Sequence, residues 1–312
     1  MAQVSGQGTI WNLPNYSGML YTADAIRTPF FSNMGMPTRK TGNFEFPTAS
    51  LYDHSAAAQP AITETASLTA PTATEAIRTQ EKNVTEIHQK AVKLSYVKQS
   101  NSARLSGINT AGATNNAVSE MDFQRFVKIQ EMARDIEYSF LNGAYQISTS
   151  AAVANKTRGM FELCASTTTV NAAGAAISKV LINSLLKSMA DAGAYFNDMF
   201  MFVNSFNKQG ITDIYEYVPT DRNIGGANIQ MIETDFGPIS VVYNRFVPAA
   251  SLGIFDMSAV GAVEQDVNGK GNFFEEPLTK SGASDDVMIF GQIGLDHGPG
   301  FMHGSITSLA TS

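Results

Sequence analysis

The 312-residue chain has a single cysteine, Cys164. One thiol forms no intramolecular disulfide and supplies no multi-cysteine metal site, so both frameworks are excluded. Its place in the apolar run Met160-Phe161-Glu162-Leu163-Cys164 reads as a buried, inert thiol rather than a nucleophile. Charge is scarce as well: 16% of residues are charged, below the roughly one quarter of an ordinary domain. The 28 acidic and 21 basic residues leave a formal net charge of −7. Arg39-Lys40 and the pair Lys90/Lys93 are the densest basic spots, and neither forms a cluster. A protein that grips nucleic acid through its phosphates presents a basic patch. Sequence-specific binding is therefore not expected, although a wall that only confines nucleic acid is permitted. The chain has no apolar run approaching the roughly eighteen residues of a membrane helix, and no basic segment leading into an apolar one at its start. Synthesis in the cytosol, without membrane insertion or secretion, is expected. Serine nucleophile elbows, P-loops and dinucleotide fingerprints are missing too.

What is present allows a large core, since 44% of residues are hydrophobic. The length is about twice that of a typical domain, so one large or two interleaved domains are expected. Few charges among many small polar residues fit a surface hidden against partner subunits, and equally an uncharged polar surface. Residues 1–42 carry turn formers and isolated apolar residues (Ile10, Trp11, Leu13, Tyr16, Leu20, Tyr21) without periodicity. Such a segment cannot bury enough of itself to offset its ordering entropy. Residues 43–50 and 80–99 read as the two sides of a long hairpin, the second alternating at Val92, Leu94 and Tyr96. Between them, residues 51–79 are rich in Ala, Thr and Pro. A low-charge loop of that length is uncommon inside a compact domain, and it reads as the tip of a projecting hairpin.

A long amphipathic helix follows. It begins near Ser119 with Asp122 in its first turn, and Asn142-Gly143 supplies the stop. Phe123, Phe126, Val127, Met132, Ala133, Ile136 and Phe140 form one apolar stripe at three-and-four spacing, and the helix spans roughly 35 Å. From Gly174 the pattern becomes mixed: a helix over 175–193, a buried strand from Met199 to Val203, a short helix over 206–217, and strands near 228–233, 239–244 and 252–257. Residues 260–309 read as further strands. The fold class expected is α+β.

Few residues suggest chemistry. Asp296, His297 and His303 in GLDHGPGFMHG are metal-ligating types. Their six-residue histidine spacing matches neither a helical nor a close-turn pair, and the glycines and proline read as a structural turn. Glu131, Asp135 and Glu137, with Lys128 and Arg134, read as a solvated or intersubunit face rather than an acid–base pair. Arg158 in Thr157-Arg158-Gly159 either pins its loop by hydrogen bonds or stands exposed. No catalytic, cofactor or metal residue is assigned.

The helix running into LNGAYQ, then NKTRGMFEL, the later TDFGPISVVYNRFVP and the C-terminal GLDHGPGFMHGSITSL resemble the major capsid proteins of tailed bacteriophages. Within that superfamily of Hong Kong 97-like fold, the chain is most similar to the group of the phage SU10 capsid protein, over nearly its full length. The resemblance implies an N-terminal arm (1–42), an extended loop (43–99), a peripheral domain carrying the spine helix (100–171) with its sheet completed by 260–312, and an axial domain (172–259). It further implies a structural subunit, not an enzyme, with no cofactor. Copies would form hexamers and pentamers that close into an icosahedral virion shell around double-stranded DNA, assembled in the host cytoplasm. Portal and decoration or scaffolding proteins would be the other partners, with no membrane.

Two departures matter. The founding member of the fold welds its shell through a loop lysine, whereas residues 41–81 contain none. A shell held without covalent bonds is expected, and a ladder of oligomers surviving boiling in detergent would refute it. No long charged helical segment precedes the arm, so either the scaffold is a separate protein or a propeptide has been removed, and Met1 favours the former expectation. Under this reading the interface residues are Trp11, Tyr16, Tyr21, Phe44, Phe46 and Arg158, because aromatics and arginine dominate interface hot spots. The alternatives are an encapsulin-like nanocompartment enclosing a cargo enzyme, a metal-dependent hydrolase at Asp296, His297 and His303, and an extracellular fibre.

Overall fold

The computed structural model describes residues 27–52, 56–100, 120–215, 230–280 and 282–311. The first part of the chain forms α1 (Pro29–Ser32), β1 (Arg39–Thr41), β2 (Glu45–Tyr52), α2 (Glu64–Ser67), β3 (Arg78–Val84), β4 (Glu86–Ser95) and α3 (Tyr96–Ser100). The middle forms α4 (Glu120–Asn142), α5 (Met160–Ser166), β5 (Thr169–Asn171), α6 (Lys179–Asp191), β6 (Met199–Val203) and α7 (Ser205–Tyr215). Then come β7 (Met231–Thr234), β8 (Gly237–Tyr243), β9 (Leu252–Asp256), β10 (Gly261–Gln265), β11 (Phe274–Pro277), β12 (Ser284–Asp296) and β13 (Gly304–Thr307).

The long strand β12 organises a five-stranded sheet. Antiparallel β4 runs along one edge, from Ser284 opposite Ser95 to Ile293 opposite Glu86. The other edge is shared end to end by β11, opposite residues 287–290, and β10, opposite residues 293–296. Strand β1 extends the sheet by pairing parallel to β10. Between β10 and β11 the edge of β12 has no strand partner, and a side chain fills the gap. The Asn272 amide accepts the Gln292 N–H at 2.8 Å and donates to the Gln292 carbonyl at 3.0 Å, reproducing both bonds of a missing strand residue. The neighbouring Phe273 ring covers Gly291, lying where a Cβ would stand.

Helix α4 packs on this sheet. Met132, Ile136, Phe140 and Leu141 share one core with Ile289, Ile293 and Leu295. The expected stripe holds for this second half of the helix only, because Phe126 is exposed. Ser119, the expected N-cap, lies outside the described residues. A six-stranded sheet of order β5-β13-β9-β6-β8-β7 carries the second core, with Ile182, Leu185, Leu186 and Met189 of α6 buried in it. Phe30 joins the two halves: its ring meets Phe202 of β6 edge-on at 5.3 Å and Phe255 of β9 at 6.2 Å.

Two expectations about strands are corrected. Only residues 80–84 of the expected side 80–99 belong to the hairpin: β2 pairs with β3, which ends at Val84, and the chain passes at Thr85 into β4 of the five-stranded sheet. The alternation at Val92 and Leu94 is therefore that of a sheet strand with one face turned to the core, while Tyr96 opens α3 and is exposed. Nor do residues 260–312 belong to one sheet. Strand β13 lies between β9 and β5 in the six-stranded sheet, because the turn at 297–303 carries the chain across.

Candidate functional site: the hairpin and its root

The antiparallel pair β2–β3, with a register shift between Pro47 and Ala49, continues into residues 56–77, all exposed. Within them α2 is a single turn whose Thr63 hydroxyl accepts the Ala66 N–H at 3.2 Å. Ile62, Leu68 and Ile77 stand in solvent, Leu68 at 84% of its full exposure. Apolar side chains on a projection with no packing of their own mark a contact surface.

The base of this projection is held tightly. Phe46, 4% exposed, lays its ring over Gly294 of β12, where a Cβ would come within 2.8 Å of it. The Asn83 carboxamide donates to the carbonyls of Leu295 (2.7 Å) and Arg158 (3.2 Å) and accepts the Arg158 N–H at 2.7 Å. Beside it the Glu81 carboxylate accepts the Gly300 N–H at 3.1 Å; burial holds that carboxyl above its ordinary range. Glu45 pairs with Lys82 at 3.3 Å, and the Tyr145 hydroxyl reaches Glu45 at 3.5 Å. The Arg158 guanidinium lies 4.7 Å over the centre of the Tyr145 ring, a cation–π contact.

Arg158 and Tyr145 meet because two glycines let the chain cross itself. The Gly159 N–H donates to the Gly143 carbonyl at 2.8 Å. A Cβ on either residue would strike backbone: Gly143 N and Leu141 in one case, Thr157 and Ser139 carbonyls in the other. The crossing closes residues 143–159 into a compact loop, braced by paired Gln146 and Lys156. Both glycines belong to the sequence segments, LNGAYQ and NKTRGMFEL, that carried the family resemblance.

A second anchor lies where the described chain begins. Glu137 of α4 has no exposed surface, and its carboxylate accepts the N–H groups of Phe30 (2.8 Å) and Phe31 (2.9 Å) and the Asn244 amide (2.6 Å). Desolvation raises its carboxyl above the ordinary value, partly opposed by those hydrogen bonds. Glu137 is thus not on the charged face expected for it. That face keeps Glu131, paired with Lys128, and Asp135, paired with Lys90.

Third, the turn after β12 fills every nitrogen of its histidines. Asp256 N–H donates to His303 Nδ1 at 3.2 Å, and His303 Nε2 donates to the His297 carbonyl at 2.7 Å. His297 Nδ1 donates to the Gly298 carbonyl at 2.7 Å, which leaves Nε2 to accept from the Thr48 hydroxyl of β2 at 3.4 Å. Asp296 is paired with Arg39. Both imidazoles are fully buried, and burial pushes each down to about 4. Three residues expected as a turn thus tie strand ends together, and no group of three potential ligands occurs among the described residues. Cys164 is buried and its thiol is pushed up by burial.

Of the residues assigned to interfaces, Trp11, Tyr16 and Tyr21 lie outside the described residues. Phe44 is 57% exposed, just before β2. Phe46 is corrected to a packing residue of its own subunit, and Arg158 is half-buried at the root. Asn83 and Glu81 were not singled out from the sequence, Glu137 was placed on a charged face, and the crossing of Gly143 with Gly159 was not foreseen. Only the N-G and R-G dipeptides offered a signal.

A family model described as SU10 major capsid protein matches residues 3–310. No curated protein matches the chain. Among solved structures the chain is similar to the capsid of cyanophage A-1(L), with a TM-score of 0.63 at 11% identity over 95% of this chain and 97% of that one. It is similar also to the capsid of the native GTA particle, with a TM-score of 0.59 at 11% identity over 96% of each chain. The SrpI encapsulin of Synechococcus elongatus gives 0.61 at 8% identity over 96% of this chain and 94% of that one. These likenesses establish the Hong Kong 97-like fold.

Proposed function

The chain belongs to the SU10 major capsid protein family, and from that premise we propose how it builds a shell. Its role is structural, that of a major capsid protein of tailed phages. Copies gather as hexamers and pentamers and close into an icosahedral wall around double-stranded DNA, within the virion and, before that, in the host cytoplasm. Closed shells arise when heterologous contacts repeat around closing rotations. The observation that carries this reading is the hairpin: an unpartnered apolar tip on a root locked by Phe46, Asn83 and Glu81. A rigid root aims the tip, and the tip finds its apolar partner on a neighbouring copy.

In this account residues 1–42 are the arm, leaving the body at the Glu137 anchor, and Trp11, Tyr16, Tyr21 and Phe44 face neighbouring subunits. Residues 43–84 form the extended loop, β4 returns the chain to the peripheral sheet, 100–171 carry the rest of the peripheral domain and 172–259 the axial domain. Residues 260–312 return to the peripheral sheet apart from β13. Arg158 serves the interface indirectly by fixing the root. The net charge of −7 suits a wall that confines packaged DNA without gripping it. Portal and scaffolding or decoration proteins are the further partners, and no enzymatic activity is assigned.

Replacing residues 56–77 by a short Gly-Ser turn tests this. The subunit is expected to keep its circular dichroism and melting temperature, because the segment is exposed throughout, yet to form no closed particles by electron microscopy. Wild-type yields of particles from the trimmed chain would remove the hairpin from the account. The likeness to an encapsulin keeps the nanocompartment as second reading, and particles purified with a protein cargo and without DNA would select it.

A further inference from the structure

The hydrogen bonds of the turn at 297–303 form one line across the molecule. It starts at Asp256 on the last strand position of the six-stranded sheet, passes through His303 and His297, and ends at Thr48 on the hairpin. The line as it stands holds two neutral imidazoles: His303 accepts at Nδ1, which the Asp256 N–H demands, and donates at Nε2, and His297 donates at Nδ1 and accepts at Nε2. We propose that this Thr48–His297–His303–Asp256 line is a proton-operated latch, and that proton uptake by the two imidazoles loosens the hairpin from the body of the subunit.

The chemistry follows from donor counting. A proton added to His303 Nδ1 sets two donors against each other, because the Asp256 N–H already points at that nitrogen. A proton added to His297 Nε2 turns that nitrogen into a donor, so the Thr48 hydroxyl has to leave its donating orientation and accept instead. Either change also leaves a charge on a fully buried imidazole.

The charged groups around the line come from every element packed there. Glu81 of the hairpin lies 4.0 Å from His297 Nδ1, while His303 and then Arg158, from the crossed loop, disfavour a charge on His297. Asp296, next in the chain, is occupied by Arg39, and the Asp256 carboxylate favours a charge on His303. Burial outweighs the favourable contacts, leaving both groups at about 4 in the docked state. A released imidazole returns toward about 6.5. The released state therefore binds more protons, and docking is whole above about pH 6.5 and is lost progressively as pH falls toward about 4.

The latch concerns the isolated subunit and stands or falls apart from shell assembly. Amide hydrogen exchange measured from pH 7.5 to 4.5, corrected for the intrinsic pH dependence of exchange, tests it. Exchange in residues 45–52 and 78–84 is expected to rise at least about tenfold relative to Met199–Val203, the buried reference strand. In Thr48→Val the hairpin is expected to exchange faster already at pH 7.5 and to show a smaller acid step. His303→Asn retains an acceptor for the Asp256 N–H but cannot titrate, and it too is expected to flatten the step. A flat wild-type profile, an equal rise in the reference strand, or an unchanged step in both variants would each overturn the latch.

Discussion

Gly159→Val is expected to destabilise the subunit by roughly 4 kcal/mol or more, the range reached when a core is overpacked and a buried bond is lost together. A Cβ at this position would lie 2.5 Å from Gly143 N and 2.8 Å from the Leu141 carbonyl. Both obstacles are backbone at the end of α4, so no rotamer change relieves them. Separating the strands of the crossing would also break the bond from Gly159 N–H to the Gly143 carbonyl. It would move Arg158 off Tyr145 and pull its backbone away from Asn83. The expected readout is a lower urea midpoint, or insoluble protein, beside a Gly42→Ala control. Gly42 has open space around it, so its variant should stay within about 0.5 kcal/mol of the parent. A Gly159→Val subunit with the parent's urea midpoint would show that the crossing tolerates a side chain.

Glu137→Ala should weaken the fold by roughly 3–5 kcal/mol, because it strands two buried donors and one part-buried donor, and a buried donor costs about 1–3 kcal/mol when left unpaired. Those donors are the N–H groups of Phe30 and Phe31 and the Asn244 amide. Phe30 packs on Phe202 of β6 and Phe255 of β9 within the core it shares with α4, so the loss should spread beyond α1. Glu137→Gln keeps one carbonyl oxygen and should recover about half of the effect. Urea denaturation of the three proteins, with hydrogen exchange over residues 27–36, decides the matter. Equal midpoints for parent and Ala variant would mean that the carboxylate is not an anchor.

Elements with a strong pattern were legible in the sequence. Met199 to Val203 is a continuous apolar run, and β6 occupies those residues because it lies between two strands with both faces covered. Asn142-Gly143 marked the end of α4, although its glycine serves the chain crossing as well. Strands β1, β5 and β13 have three or four residues each, too short for a period of two to register. The hairpin was read too long because a strand of a sheet and a strand of a hairpin alternate alike; only the pairing partner distinguishes them. Phe44 and Phe46 look equivalent, but Phe44 precedes β2 and faces solvent, whereas Phe46 meets Gly294 some 250 positions away in sequence. Glu137 was misjudged for a similar reason. A charged residue on a helix is usually solvated, and the backbone groups that neutralise its burial lie more than 100 residues upstream.

The strand that organises the five-stranded sheet is also among the last described to leave the ribosome. Strands β1 and β4 are made early, yet both wait for residues 261–296 to give them edges. Pairing over such separations is slow, since a long loop must close before any contact rewards it. A chain interrupted before Ser284 holds its hairpin strands but not the mount that aims them. Such a fragment lacks Gly294, Leu295 and Gly300, the groups that Phe46, Asn83 and Glu81 dock on, so its hairpin has a root with nothing to lock onto.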